Sequence, residues 1–114
     1  MNDCLFCGIM DGKIKGELVY EDDSVAAFKD INPKAPVHIL IVPRKHIATL
    51  LDVKDGDRDL IGDIFRVATQ LARDQGISED GFRIVLNCGS GAGQSVFHLH
   101  YHLLGGRSFT WPPG

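Results

Sequence analysis

The chain has 114 residues, 44% of them hydrophobic and 24% charged, which is the size and composition of one globular domain. Its net charge of -3 argues against a nucleic-acid partner, which would need a basic stripe, but leaves room for a single nucleotide. No apolar stretch approaches the roughly 20 residues of a membrane span, and the N-terminus lacks the basic and apolar regions of a signal peptide.

The cysteine content predicts a reducing environment. Cys4, Cys7 and Cys88 are an odd number and form no disulfide framework. Together with the missing signal peptide, this predicts a cytoplasmic protein with no membrane partner. No linker, repeat or low-complexity segment interrupts the chain, so residues 1–114 are expected to form a single domain.

The first half of the chain predicts short elements. Gly12 is expected to end the first of them, and Pro33 and Pro36 deny helix and ladder hydrogen bonds to a loop at 30–36. Pro43 is expected to end a strand that begins at residue 38. The predicted elements are helical turns within 4–12, strands at 18–20 and 24–28 around an acidic turn, and a strand at 38–42.

The second half contains the clearest helix, at 57–75. Its apolar residues recur at the helical period, Asp55 or Asp57 is available to cap its start, and Gly76 suits a left-handed stop. Strands are predicted at 82–88 and 97–104. Because the connections between most strands are too short for a helical crossover, the fold class is α+β, with a five-stranded, mostly antiparallel sheet, one long helix and a short N-terminal helix.

Three of the five histidines lie in the last predicted strand. Because strand side chains alternate between faces, His98, His100 and His102 are expected to share one face and to be exposed together. Such a cluster suits either metal binding or nucleophilic catalysis by a central imidazole held in one tautomer. A polar strand face without chemistry explains the clustering poorly.

A glycine-rich loop at 89–95 precedes this strand. Glycines allow close backbone approach, and the loop is expected to turn N–H groups toward an anion. Alone this is a weak signal, since a flexible connection has the same composition. Beside three histidines it favours catalysis on a phosphate, with Ser95 near the leaving group.

The segment His98-Leu99-His100-Tyr101-His102-Leu103-Leu104 fits the pattern His-apolar-His-apolar-His-apolar-apolar, and it resembles the signature of the histidine-triad family. The resemblance extends to residues 30–43 and to the loop 93–97. The segment 105–107 and the ending Trp111-Pro112-Pro113-Gly114 look like the HINT branch, the histidine-triad nucleotide-binding proteins.

The resemblance implies a homodimer with a ten-stranded sheet, five strands from each subunit. It also implies purine nucleoside phosphoramidase activity on adenosine monophosphoramidate or aminoacyl-adenylate-like substrates. His100 matches the nucleophile, and Asp30 matches the ribose ligand. The resemblance also implies that His100 forms a covalent nucleotidyl-histidine intermediate, which water hydrolyses. This route requires no cofactor. The catalytic matches are His38, His98, His100, His102 and Ser95. The nucleotide-binding matches are Leu5, Phe6, Ile9, Phe28, Asp30, Ile31, Asn87, Gly93, Gln94, Ser95, Val96, His100, His102 and Trp111, the last approaching the partner subunit's site.

Cys4 and Cys7 form a C-x-x-C motif, which by itself is compatible with redox chemistry, a metal site or two small buried residues. Redox use is disfavoured because no strand of a βαβ unit precedes the motif. With His46 and His98 it completes a Cys₂His₂ set. Related histidine-triad proteins with this cysteine pair carry zinc there, so the resemblance implies a structural zinc.

Three alternatives remain open at this stage. In the first, the chain is a nucleotide-binding or sensor module in which hydrolysis is incidental. In the second, it is a metalloenzyme with His98, His100 and His102 as ligands. In the third, it is a hydrolase of dinucleoside polyphosphates from another branch of the same family. The 105–107 segment and the C-terminal ending argue against that branch.

Overall fold

The computed structural model describes residues 3–114, which form a five-stranded antiparallel sheet with one helix on each face. The strand order is β1-β2-β3-β5-β4. The strands are β1 (Leu18–Glu21), β2 (Val25–Lys29), β3 (Val37–Pro43), β4 (Phe82–Val85) and β5 (Tyr101–Gly105). The helices are α1 (Leu5–Met10) and α2 (Arg58–Asp74). The predicted α+β class and sheet are confirmed.

The two faces of the sheet carry cores of different size. The larger core lies under α2, where Ile64, Val67 and Leu71 pack against strand residues such as Ile41 and Leu103. The smaller core lies under α1 and combines Phe6 and Ile9 with alternate residues of β2 and β3. Because α1 has only six residues, it covers part of this face and leaves space beside the histidines.

The β1–β2 hairpin forms as the sequence predicts. The Asp22 carboxylate accepts the N–H groups of Ser24 and Val25 at 2.8 Å each and the Tyr20 hydroxyl at 2.6 Å. These bonds lower the pKa of Asp22, with the Tyr20 hydroxyl as the largest cause. A short acidic turn is therefore held in shape by its own side chain.

The long helix agrees with its prediction within one residue at each end. Gly76 has φ +74°, the left-handed stop that was expected. The capping prediction is wrong in detail: Asp57 precedes the helix, but its carboxylate caps no helix N–H. It accepts the Lys54 N–H at 3.0 Å and the Lys45 ammonium at 2.7 Å.

The last two strands are shorter than predicted. The register pairs Ile41 with Tyr101, so continuation of the β3–β5 ladder would place Leu99 opposite Pro43. Pro43 has no N–H to donate, and the Leu99 N–H bonds instead to the Ile47 carbonyl at 2.6 Å. Residues 97–100 therefore lie outside the ladder, and β4 ends at Val85, the partner of His102.

Candidate active site

The alternation that the sequence predicts holds through the triad segment. Leu99, Tyr101 and Leu103 enter the large core, while the rings of His98 and His100 lie against Phe6 on the other face. The expectation that all three imidazoles are exposed is wrong for His98 and His100, which are 0% and 7% exposed. For His98, the cause is local packing. The reason is that α1 and residue His46 pack directly over it.

His100 is buried and held by the backbone. Its Nδ1 lies 2.7 Å from the carbonyl oxygen of His98. A carbonyl only accepts, so Nδ1 carries the proton and Nε2 keeps its lone pair. Burial lowers the pKa of His100, which keeps the ring neutral near pH 7. The result is a neutral imidazole with one basic nitrogen available for attack.

His38 and His102, the histidine pair, are joined across β3 and β5. The Lys34 N–H donates to His38 Nδ1 at 3.0 Å, so in the neutral ring Nε2 of His38 carries the proton. That nitrogen donates to His102 Nδ1 at 2.9 Å. His102 in turn must carry its own proton on Nε2. One backbone amide thus sets the tautomers of both rings.

The electrostatics keep the histidine pair neutral. Burial is the largest cause that lowers the pKa of His38, with Asp30 opposing and Lys34 adding to it. Burial, followed by the charges of His100 and His38, lowers the pKa of His102 to about 4. The Asp30 carboxylate lies 3.4 Å from His38 Nε2, and its other oxygen accepts the Asn32 N–H at 2.8 Å.

An apolar cavity of about 360 Å³, the first cavity, opens between α1 and the triad. Most of the predicted nucleotide-binding residues line it, including Ile31, which is 87% exposed. Leu40 also lines it, a residue that sequence reasoning missed and that its place in the alternation of β3 would have indicated. The predicted residues in this wall are Leu5, Phe6, Ile9, Phe28, Asp30, Ile31, Ser95, Val96, His100 and His102.

A second cavity of about 360 Å³ lies on the other side of His102. Asp30, Asn32, Ser95 and His102 line both cavities, so the two are adjacent. Asn87 belongs to the second cavity only, together with Lys34 and the apolar residues Val85 and Leu104. His102 therefore lines both cavities, whereas His38 lines only the second.

The glycine-rich loop differs from its prediction. The N–H groups of Gly89, Ala92, Gly93 and Gln94 all find acceptors inside the loop, so the expectation that they face an anion is wrong for these four. Gln94 is buried, and its side chain bonds to the backbone of Gly89, Ala48 and Val96. The predicted contacts Gly93 and Gln94 thus brace the loop.

Two amides beside the histidines, those of Ser95 and Val96, are open to an anion. Within residues 3–114, the N–H groups of Ser95 and Val96 have no hydrogen-bond acceptor. Both residues line the first cavity beside His100. Consecutive backbone N–H groups of this kind form a concave anion site when they converge. The loop therefore positions the N–H groups of Ser95 and Val96 beside the histidines.

Cys4, Cys7, His46 and His98, here called the thiol cluster, come together as predicted. Their ligand atoms all lie within 4.8 Å of one another. Both cysteine sulfurs approach His98 Nδ1, at 3.4 Å from Cys4 and 3.5 Å from Cys7. His46 Nδ1 lies 3.5 Å from the Cys7 sulfur and 3.1 Å from His98 Nδ1. These separations suit the edges of a tetrahedron around zinc.

The tautomer of His98 also fits a metal. His98 Nε2 lies 2.7 Å from the Pro43 carbonyl and must donate to it, which leaves Nδ1 with a lone pair directed at the sulfurs. A second group, Asp30, His38 and His102, is equally close but fits poorly. There Nε2 of His38 carries the proton that a metal would have to replace, because the Lys34 amide occupies Nδ1.

The three triad rings do not converge on one point. His98 faces the thiols, His100 faces the first cavity and His102 faces His38. This arrangement disfavours a single metal ion bound by all three. Sequence reasoning also missed the backbone groups of Lys34 and Pro43 that orient His38 and His98, and no sequence signal points to them.

Two predicted or conspicuous features lie outside this site. Trp111 is 82% exposed, and neither cavity beside the histidines includes it in its wall. A larger cavity, of about 670 Å³, lies beside β4 and the C-terminal segment, where Arg83 and Arg107 stack on the Phe109 ring. Neither histidine nor cysteine lines it, so we take the smaller cavities as the candidate site.

Comparisons with known proteins agree with the geometry. The sequence model described as HIT domain matches residues 11–109. A HIT-like protein of Synechocystis is 48% identical over 112 residues, covering 98% of this chain and 97% of that protein.

Solved structures are similar over nearly the whole chain. A HIT family hydrolase from Legionella pneumophila has a TM-score of 0.96 at 54% identity, covering 98% of this chain and all of that one. A histidine triad nucleotide-binding protein from Candida albicans has a TM-score of 0.83 at 31% identity, covering 98% and 85%. Among the described residues, no helix has the length and hydropathy needed to cross a membrane.

Proposed function

Because the chain belongs to the HIT domain family, we propose that it is a hydrolase that cleaves the phosphorus–nitrogen bond of purine nucleoside 5′-phosphoramidates. Within the family we assign it to the HINT branch, on the C-terminal ending and on its likeness to the Candida nucleotide-binding protein. The likeness to the Legionella hydrolase supports hydrolysis in general.

The single observation that carries the proposal is the bond between His100 Nδ1 and the His98 carbonyl, at 2.7 Å. It leaves the Nε2 lone pair of a neutral, buried imidazole beside a cavity. Such a nitrogen is a good nucleophile toward phosphorus at pH 7. In a Michaelis complex, the phosphorus would lie between this nitrogen and the amides of Ser95 and Val96.

The two cavities divide the substrate. The purine base stacks in the first cavity against Phe6 and Phe28, whose rings already pack at 5.2 Å. The Asp30 carboxylate at the boundary accepts hydrogen bonds from the ribose hydroxyls. The phosphate oxygens bind the Ser95 and Val96 amides, and the leaving amine points toward the second cavity.

The first chemical step forms the bond from His100 Nε2 to phosphorus and breaks the bond from phosphorus to nitrogen. The electron pair of the broken bond goes to the amine nitrogen, which takes up a proton as it departs. The Ser95 hydroxyl and the His102 Nε2–H are the candidate donors. Water then attacks phosphorus and gives a proton back to the donor, and breaking the bond from phosphorus to His100 Nε2 releases the nucleotide and restores neutral His100.

We also propose that the thiol cluster holds a structural zinc ion. The ion would be bound by Cys4, Cys7 and the Nδ1 atoms of His46 and His98. It would fix the ring of His98, the residue whose carbonyl orients His100. No catalytic step passes through it, so the chemistry needs no cofactor.

A homodimer completes the proposal. Within the described residues β4 pairs only with β5, so its outer edge is open for pairing with a second copy. Such pairing would build the ten-stranded sheet expected for the family. The exposed Trp111 is available to reach the partner's site, as the sequence resemblance predicts.

The decisive test is intact mass spectrometry of enzyme rapidly quenched during turnover of adenosine 5′-phosphoramidate. We expect a protein species heavier by one adenylyl group and its absence from His100→Ala, together with a loss of kcat of at least about a thousandfold. His100→Gly with added free imidazole is the matched control, since a diffusible nucleophile should restore turnover. The proposal would be refuted if His100→Ala still turned over the substrate, or if the adduct also formed in that variant.

The same assay separates the alternatives. A binding or sensor module would retain the nucleotide without turnover. A dinucleoside polyphosphate hydrolase would cleave diadenosine tetraphosphate faster than the phosphoramidate. The proposal requires the phosphoramidate to be the better substrate by kcat/KM.

A further inference from the structure

The second cavity carries a charge that the proposed reaction does not yet use. Lys34 lines this cavity, and its ammonium group has no carboxylate within ion-pair distance among residues 3–114. Its charge reaches His38, where it contributes to the lowered pKa of that imidazole. A lysine with no ion-pair partner therefore lines the cavity into which the proposed leaving amine departs.

The backbone of Lys34 is held from both sides. Its N–H donates to His38 Nδ1 at 3.0 Å, and its carbonyl accepts from Arg107 Nε at 2.9 Å. The residue is exposed, but its Cα position relative to the histidine pair is determined by these two bonds. The side chain consequently starts from a defined point at the cavity and has only its own rotamers left to choose.

The other groups of the second cavity suit an anionic ligand at the Lys34 end. Asn32 and Asn87 supply side-chain amide groups, and Val85 and Leu104 add apolar surface to the wall. The one carboxylate in the wall, that of Asp30, lies at the boundary with the first cavity. It already contacts His38 and accepts a hydrogen bond from the backbone N–H of Asn32. An anion on the leaving group would therefore lie away from Asp30, toward Lys34.

We propose that Lys34 is a specificity-determining residue that favours nucleotide phosphoramidates whose amine carries a carboxylate, as an amino acid linked through its nitrogen does. This inference rests on the proposed function. It names the class of amine that the enzyme prefers and leaves the chemical steps at His100 unchanged. The bond broken is still phosphorus to nitrogen, and the product is a free amino acid.

The test compares two substrates of nearly equal shape: adenosine 5′-phosphoramidate linked to the nitrogen of glycine, and the same compound linked to glycinamide. We expect kcat/KM to favour the carboxylate about threefold to fivefold, the upper range for a partly exposed charge pair. Lys34→Gln should bring the ratio close to one, and Lys34→Glu should invert it. Raising the salt concentration should reduce the wild-type ratio, because the pair is near solvent.

Lys54→Gln is the matched control, since it removes the same charge at the start of α2, outside both cavities. It should keep the wild-type ratio. A purely structural role for Lys34, through His38, would lower kcat for both substrates equally and leave their ratio unchanged. That result, or a wild-type ratio near one, would overturn the inference while the proposed function stands. Failure to hydrolyse either compound or the unsubstituted phosphoramidate would refute both.

Discussion

The thiol cluster and the histidine pair contain the same side chain in opposite states. In the thiol cluster, His98 donates from Nε2 to the Pro43 carbonyl, so Nδ1 is a lone pair aimed at sulfur. In the histidine pair, His38 receives a backbone N–H at Nδ1, so Nε2 is a donor aimed at His102. The comparison teaches that the backbone partner of an imidazole decides whether it suits a metal or a hydrogen-bonded substrate.

His100 lies between these two groups and belongs to neither. Its carbonyl partner comes from His98, and its ring lies 5.1 Å from that of His102. The same rule applies to it: a carbonyl at Nδ1 leaves Nε2 basic. Breaking each cluster separately should therefore change different measurable properties.

The largest effect is expected from the histidine pair. His102→Ala removes the Nε2–H that faces the leaving amine, and we expect kcat to fall by about a hundredfold to a thousandfold. Zinc content and Tm should stay close to the wild-type values, because the thiol cluster is untouched. Metal analysis and thermal unfolding of the same preparation check this. Loss of zinc in the variant would show that the two clusters are not separable.

The thiol cluster should respond in the opposite way. Cys7→Ser is expected to abolish stoichiometric zinc and to lower Tm by about 5–10 °C, with a loss of kcat smaller than that of His102→Ala. A chelator should lower the Tm of the wild type and leave that of the variant unchanged. Cys88→Ser, which lies outside the cluster, is the control. A chelator that leaves the wild-type Tm unchanged would contradict a structural zinc site.

A smaller effect is expected from Asp30. Asp30→Ala removes a charged acceptor for the ribose, and we expect kcat/KM for an adenosine phosphoramidate to fall about tenfold. For the 2′,3′-dideoxy analogue, wild type and variant should be nearly equal, because the hydroxyl partners are missing. An equal loss on both substrates would mean that Asp30 acts through His38 rather than on ribose.

The smallest effect concerns pH. Because the pKa of His102 is lowered to about 4 and burial lowers that of His38 below its usual 6.5, both rings are mostly neutral at pH 6.5. Protonation of His102 at Nδ1 would put protons on both facing nitrogens and break their hydrogen bond, and protonation of His38 at Nδ1 would oppose the Lys34 N–H. We expect kcat/KM to be nearly flat from pH 8 to about pH 6 and to fall only in more acidic solution. A fall centred at pH 6.5 would refute the neutral pair.

Much of the fold could be predicted because its patterns are local. The helical period of α2, the acidic hairpin turn and the alternation around His100 each depend on neighbours within a few residues. One error arose where a distant segment intervened: the strand at 97–104 was too long because Pro43, in another strand, cannot continue the ladder. The other arose within the glycine-rich loop, whose N–H groups bond to carbonyls of the loop itself and, for Gly89, to the Gln94 side chain.

The candidate site shows the same division. The sequence places His98, His100 and His102 on one side of the backbone and supplies the C-x-x-C motif, since both are questions of spacing. It contains no information on which ring nitrogen carries a proton. The tertiary structure decides that, because the partners of the rings come from residues as distant as 55 and 64 positions along the chain. An imidazole offers two similar nitrogens, and only the group placed against one of them makes the other a ligand, a donor or a nucleophile.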